Sequence, residues 1–288
     1  MGLDLLRGNQ VEEGQETVSL PSFRNPPITE VVVSVAFRDA PALSPVHLGD
    51  LWRSKWESTF PTVEEHPPYI PPFERLEVPA IGPTIALGFG ERPAARLWFV
   101  TRDGQELLQV QKDWFACNWR KVRPGDVYDR WPARRDSFVR HLTELDDYVR
   151  QHGFGKITPV QCEVTYVNHV QVGDLAKTHG ELSKIVKLAG KVEGIFLPGA
   201  EQVQVAATFV IRNEESVPVG RLHVSAQPAA IRDGGEPIFI INLTARGAPE
   251  GEGLEGALTF LNRGREWIVQ GFADLTTPEA QEIWGRNE

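Results

Sequence analysis

From Ile28 to Phe37 the chain reads I-T-E-V-V-V-S-V-A-F, a β-branched apolar run directly after Pro26-Pro27. A residue before proline is pushed out of the helical region, so this run is predicted to begin as an extended strand. At Ser44-Pro45 the period changes. Leu48, Leu51, Trp52 and Trp56 recur at helical spacing until Pro61, which predicts an amphipathic helix entered through a Ser N-cap and a first-turn proline. Residues 67–79 (P-P-Y-I-P-P-F-E-R-L-E-V-P) have no sustained period and read as irregular, with any pairing confined to an edge. Strands are then predicted over Thr84–Phe89, Arg96–Thr101, Glu106–Gln111 and Trp114–Val122. Asp103-Gly104 supplies the tight turn between the second and third of these. Phe138, Leu142, Leu145 and Val149 share one side of a helix predicted over Trp131–His152 and ended by Gly153.

The second half follows the same order. Gln161–Val172 reads as a strand, Leu175–Ala189 as a short helix, and Gln202–Ile211, Val219–Ala226 and Pro237–Ala245 as strands. Leu254–Phe272 reads as a long helix, with a further turn at Thr277–Trp284. Glu30 aligns with Glu163, and Arg96-Leu97-Trp98-Phe99 with Arg221-Leu222-His223-Val224. The preserved order predicts an α+β protein of two β-α-β(n)-α units, antiparallel sheets with helices on one face, forming one continuous sheet or two side by side. The expected organisation is a loose polar arm over residues 1–22, a first unit over 23–155 and a second over 156–288.

Several local motifs form a distinctive set: N-P-P-I-T-E-V-V at 25–32, F-P-T-V-E-E at 60–65, L-Q-V-Q-K-D-W-F-A-C-N-W-R-K at 108–121, T-Y-V-N at 165–168 and W-G-R at 284–286. With them the chain, from Phe23 on, resembles a sporadically distributed prokaryotic family of uncharacterised proteins. The resemblance implies an accessory or defence-linked role, such as an antitoxin-like partner, and brings no mechanism with it. The order of elements is also similar to a helix-grip or TATA-binding-protein-like unit in tandem, an analogy of fold alone.

Composition narrows the function classes. Of 288 residues, 41% are hydrophobic and 24% charged, ordinary for a packed globular chain. The formal charge of −9 disfavours nucleic acid as a partner. No run approaches a membrane span, and the opening residues lack the basic-then-apolar pattern of a signal peptide, so a cytoplasmic protein without membrane partners is expected. Met1-Gly2 is not followed by Ser or Thr at position 6, where Leu6 stands, so myristoylation is not expected. Cys117 and Cys162 are expected as reduced core residues. Seven histidines are scattered without ligand spacing, and no metal or cofactor is expected. His47 and His141 read as solvated. His169 and His223 sit in strands where they could face each other. Gly88-Phe89-Gly90 lacks the third glycine of a dinucleotide loop and reads as a turn.

The densest polar cluster is Gln109, Gln111, Asp113, Asn118, Arg120 and Lys121. Strand alternation puts Gln109 with Gln111, and Asn118 with Arg120, on single faces. Flanked by Trp114 and Trp119, these residues form the candidate binding surface, with Arg120 as the anchor for a carboxylate or phosphate. The bland reading is the solvated face of a sheet. Glu30 with Arg96, and Glu163 with Arg221, are expected as structural ion pairs, one in each half. The leading expectation is a non-enzymatic protein that binds another protein or a small anionic ligand. One alternative is an enzyme using Glu30 or Glu163 with Arg120 in a helix-grip cavity; another is a nucleic-acid-binding saddle.

Overall fold

The computed structural model describes residues 20–78, 95–173, 175–190, 194–231 and 235–287. The run after Pro26-Pro27 is a strand, β2 (Ile28–Arg38), preceded by a short β1 (Ser22–Phe23). α1 (Pro45–Leu51) follows and continues as a π-helical turn over Trp52–Trp56. Ser44 holds the N-cap position in an extended conformation, but its hydroxyl meets His47 Nδ1 at 3.1 Å and caps no backbone N–H. Next come β3 (Thr62–His66), β4 (Arg96–Val100), β5 (Glu106–Gln111), β6 (Trp114–Arg120) and α2 (Arg130–Gln151). The second half contributes β7 (Thr158–Gln171), β8 (Val205–Arg212), β9 (Pro218–Ala230) and β10 (Pro237–Gly247). α3 (Gly253–Leu275), α4 (Pro278–Ile283) and β11 (Arg286–Asn287) close the described chain.

Nine strands form one antiparallel sheet in the order β3-β4-β5-β6-β2-β7-β10-β9-β8. β2 and β7 lie side by side at its centre, so the expected boundary near residue 155 falls inside a continuous sheet. Alternation sends Val31, Val33, Val35, Phe115, Cys117, Cys162, Val164, Leu243 and Ala245 to one face, where α2 and α3 cover them. On α3 the buried residues Ala257, Phe260, Leu261, Gly264, Ile268 and Phe272 repeat at helical spacing and form its inward stripe. Gly220 and Gly247 are cross-strand partners beneath α3, and a Cβ on either would lie 2.6 Å or less from the Phe260 ring. The paired glycines form the socket for that ring, whose burial contributes about 1.5–3 kcal/mol. Trp131 Nε1 donates to Asn262 Oδ1 at 3.0 Å and links the two long helices.

Several expectations need correction. β3 is an edge strand, T-V-E-E-H, with two adjacent glutamates and one apolar residue, too little apolar pattern to be read in advance. The helix expected over Leu175–Ala189 is only a 3-10 turn, His179–Lys184, with a break at Glu181. The expected strand Thr84–Phe89 and the Gly88–Gly90 turn lie outside the described residues. Residues 1–19 of the expected loose arm lie outside the described residues, and at its end Ser22–Phe23 pair with Asn287–Arg286. His141 is buried, not solvated: its ring packs edge-on to Trp56 and Phe60 and meets Glu144 at 2.9 Å. Burial lowers its pKa, against the opposing pull of Glu144. His47 is half-buried and stacks on Phe154. His169 and His223 do not face each other, since β10 separates their strands. Cys117 and Cys162 are buried and free, and burial pushes both thiols up. No helix among the described residues is long and apolar enough to cross a membrane.

Candidate functional site

The face of the sheet away from the helices carries polar side chains and is crossed by residues 67–78. Four of the first six residues of this strap are proline, so it brings few backbone N–H groups that need a partner. Two glutamines on the sheet hold it. Gln111 accepts from Tyr69 N at 3.0 Å and donates to Tyr69 O at 2.8 Å. Gln161 accepts from Glu74 N at 2.7 Å and donates to Pro72 O at 2.6 Å. Each amide thus satisfies both backbone groups offered to it, as a neighbouring strand would. Ala36, Trp114 and Ala116 form a small apolar patch beneath, with Tyr69 packed against it.

At the far end of the strap Glu74 enters a basic cluster. Arg221 Nη1 donates to its Oε2 at 2.8 Å, His223 Nε2 meets its Oε1, and Arg246 Nη1 reaches Oε1 at 3.4 Å. Arg221 also donates to the carbonyls of Arg75 at 3.1 Å and Val78 at 2.6 Å. The side chains of Arg221 and Glu74 are only 7% and 9% exposed. Burial would raise the Glu74 pKa, but the hydrogen bonds from His223 and Arg221 outweigh it and bring the carboxyl down to about 2. Arg246 further donates through Nε to Glu163 Oε2 at 2.5 Å.

The first half of the same face is wired differently. Asn118 Nδ2 donates to Glu30 Oε1 at 2.6 Å, Gln109 Nε2 to Asn118 Oδ1 at 2.9 Å, and Arg96 Nη1 to Gln109 Oε1 at 3.0 Å. The Arg96 guanidinium lies 5.5 Å from the Trp98 ring, 5.8 Å from Tyr69 and 6.0 Å from Trp114. Burial lowers its pKa, and burial followed by the charge of Glu163 pushes the Tyr69 hydroxyl up to about 12.

The sequence-predicted residues therefore divide. Gln109, Asn118 and Arg120 share this face, as alternation requires, but Gln109 and Asn118 are buried in the relay. Arg120 is half-buried and donates to Gly104 O at 3.1 Å, with Trp98 beside it. Gln111 holds the strap and donates to Asp113 at 2.7 Å. The two tryptophans are not an exposed rim. Trp114 is 5% exposed beneath the strap, and Trp119 is 3% exposed on the opposite face against Tyr128. Residue 119 is odd-numbered on a strand whose even positions face the strap, which settles its side. Lys121 is exposed just beyond β6. The expected pairs Glu30–Arg96 and Glu163–Arg221 do not form. Arg96 sits on β4, four strands out from the centre on its side, and Arg221 on β9, three out on the other, so the two arginines do not hold corresponding places. Glu163 instead takes Arg246, and Arg221 takes Glu74.

Glu74 and Arg246 were not among the sequence candidates. Arg221-Leu222-His223, two basic residues alternating within an apolar strand, was the available signal for a basic surface. No family model matches the chain, no curated protein matches it, and no solved structure matches it.

Proposed function

We propose that the chain is a non-enzymatic binding protein whose strap-bearing face takes an extended acidic segment of a partner protein, along the path residues 67–78 occupy. The observation that carries this reading is the convergence of Arg221, His223 and Arg246 on one carboxylate that comes from outside the sheet. Two guanidinium groups and an imidazole on adjacent rigid strands make an anion basin, and its occupant arrives on irregular chain. Gln111 and Gln161 extend the basin, one gripping the N–H and C=O of Tyr69 and the other the C=O of Pro72 and the N–H of Glu74, so the face binds backbone at two points and charge at a third.

Catalysis fits the geometry less well. Glu30 is engaged by Asn118 and Glu163 by Arg246, so both candidate acid-base groups are already paired within the sheet. Nucleic acid is opposed by the net charge of −9 and by the strap across the face.

The same reading takes the sheet as two copies of one unit about an axis between β2 and β7, in the manner of a TATA-binding-protein-like saddle. Its support is the matched register: Glu30 is the cross-strand partner of Arg120, and Glu163 that of Arg246, each on the first strand out from the centre. Membership in the sporadically distributed prokaryotic family, with an accessory, antitoxin-like role, rests on the motifs given above. Two buried free cysteines support the cytoplasm as its compartment.

The test uses a labelled peptide with the sequence of residues 67–78, and the same peptide with its Glu74 position changed to Gln. Fluorescence anisotropy against Glu74→Ala protein, with folding checked by thermal unfolding, should show binding of the acidic peptide. Wild type should bind about tenfold more weakly or worse, because its basin is filled. Failure of the folded variant to bind, or equal binding of the Gln peptide, would sink the proposal.

A further inference from the structure

The two edges of the nine-stranded sheet are chemically opposite. β3 ends one side with T-V-E-E-H, and its exposed Glu64 and Glu65 oppose the approach of another strand. β8 ends the other side with V-A-A-T-F-V-I-R, eight residues without proline or glycine and without charge before Arg212. Ala206 and Thr208 are exposed, as are Phe209 (36%) and Val210 (40%). β8 pairs with β9, and among the described residues no strand lies on its outer side. β4 holds the corresponding fourth place on the other side of the centre, and there β3 covers it. An apolar edge whose outward N–H and C=O groups meet no strand among the described residues is a template for one more strand.

We infer that β8 is a dimerisation edge, and that its occupant is β8 of a second copy of this chain, running antiparallel across a twofold axis. Such pairing fixes the parity of the register. Paired residues point to the same face, and both helix layers must lie on one face of the joined sheet, so odd residues must meet odd residues. A register centred on Phe209 pairs Phe209 with its copy, Ala207 with Ile211, Thr208 with Val210 and Ala206 with Arg212. It brings two partly exposed phenyl rings together and keeps the two Arg212 residues at opposite ends, free of repulsion. Pairing β8 with β3 instead would be head-to-tail and open-ended, and would press Glu64 and Glu65 against an uncharged strand.

Sedimentation of the full chain tests the inference. Wild type should be a dimer at high micromolar concentration. Thr208→Lys with Val210→Lys places lysines opposite lysines across the axis and should weaken the dimer about tenfold or more. These positions face solvent on the strap side, so each copy should still fold, which circular dichroism checks. Thr208→Glu with Val210→Glu should be equally monomeric alone, and mixing it with the lysine variant should restore the dimer. Val63→Lys on β3 should change nothing. A monomeric wild type would overturn the inference, even if a strand of another protein were found on β8. So would a dimer indifferent to the lysines, or failure of the mixture to reassociate.

Discussion

Glu30 faces Arg120 across β2 and β6, and Glu163 faces Arg246 across β7 and β10, yet only the second couple closes into an ion pair. The difference lies two residues earlier on the outer strand. Asn118 is long enough to reach Glu30 and hand its own oxygen to Gln109, which leaves Arg120 to a backbone carbonyl. At the corresponding place β10 has Thr244, whose short hydroxyl turns to Thr165 at 2.9 Å, and Glu163 is left for Arg246. One half is wired by amides and is self-sufficient. The other sets Arg246 between Glu163 and the strap's Glu74, the carboxylate that Arg221 and His223 also hold. The lesson is that an amide side chain, by occupying a carboxylate, can decide where a neighbouring cation must look for its partner.

The comparison breaks most visibly at Arg221. Arg221→Ala leaves Glu74 buried and frees two strap carbonyls, so a loss of about 3–5 kcal/mol is expected in urea unfolding. A loss below about 1 kcal/mol would mean that charge does not hold the strap. A smaller effect sharpens the contrast. Asn118→Thr gives the first half the wiring of the second and should cost about 1–2 kcal/mol through the abandoned Gln109. In that background a double-mutant cycle between Glu30 and Arg120 should show coupling of about 1 kcal/mol that is near zero in wild type. Equal coupling in both backgrounds would remove Asn118 as the deciding residue.

A further effect is read in acid. Glu74 is held at about 2, below its ordinary value near 4.5, so its contribution is full above that ordinary value and is lost as pH falls from about 4.5 to about 2. Hydrogen exchange at the Tyr69 and Glu74 amides, corrected for intrinsic rates, should quicken over that window. Glu74→Gln should show no such change; identical profiles in the two proteins would assign the acid response to other carboxylates.

Periodicity made most of the fold legible. The strands of β2, β5 and β7 and the helices α2 and α3 carry clean alternation or a clean stripe, because one face of each must be buried. Asp103-Gly104 marked its turn, where Gly104 has φ +76°. β3 escaped because both of its faces are wet, and the segment expected as a helix at 175–189 holds only the kinked six-residue 3-10 stretch His179–Lys184. The candidate site was half legible. Alternation grouped Gln109, Asn118 and Arg120 correctly, but nothing in the sequence told which of them would be consumed by their neighbours. The path of the strap was opaque, since a proline-rich segment has no period and its contacts lie far along the chain.

That distance has a consequence for how the protein is made. Glu74 finds Arg221 at a separation of 147 residues, His223 at 149 and Arg246 at 172. At about 5–20 residues per second, a nascent strap waits on the order of 10–30 s for its basin to leave the ribosome. Through that interval β2, β5 and β6 can pair and Gln111 can already hold Tyr69, but the Glu74 end of the strap has no basin to enter. Seating of the strap is therefore among the last and least local steps of folding, and the one most exposed to interception while synthesis is still under way.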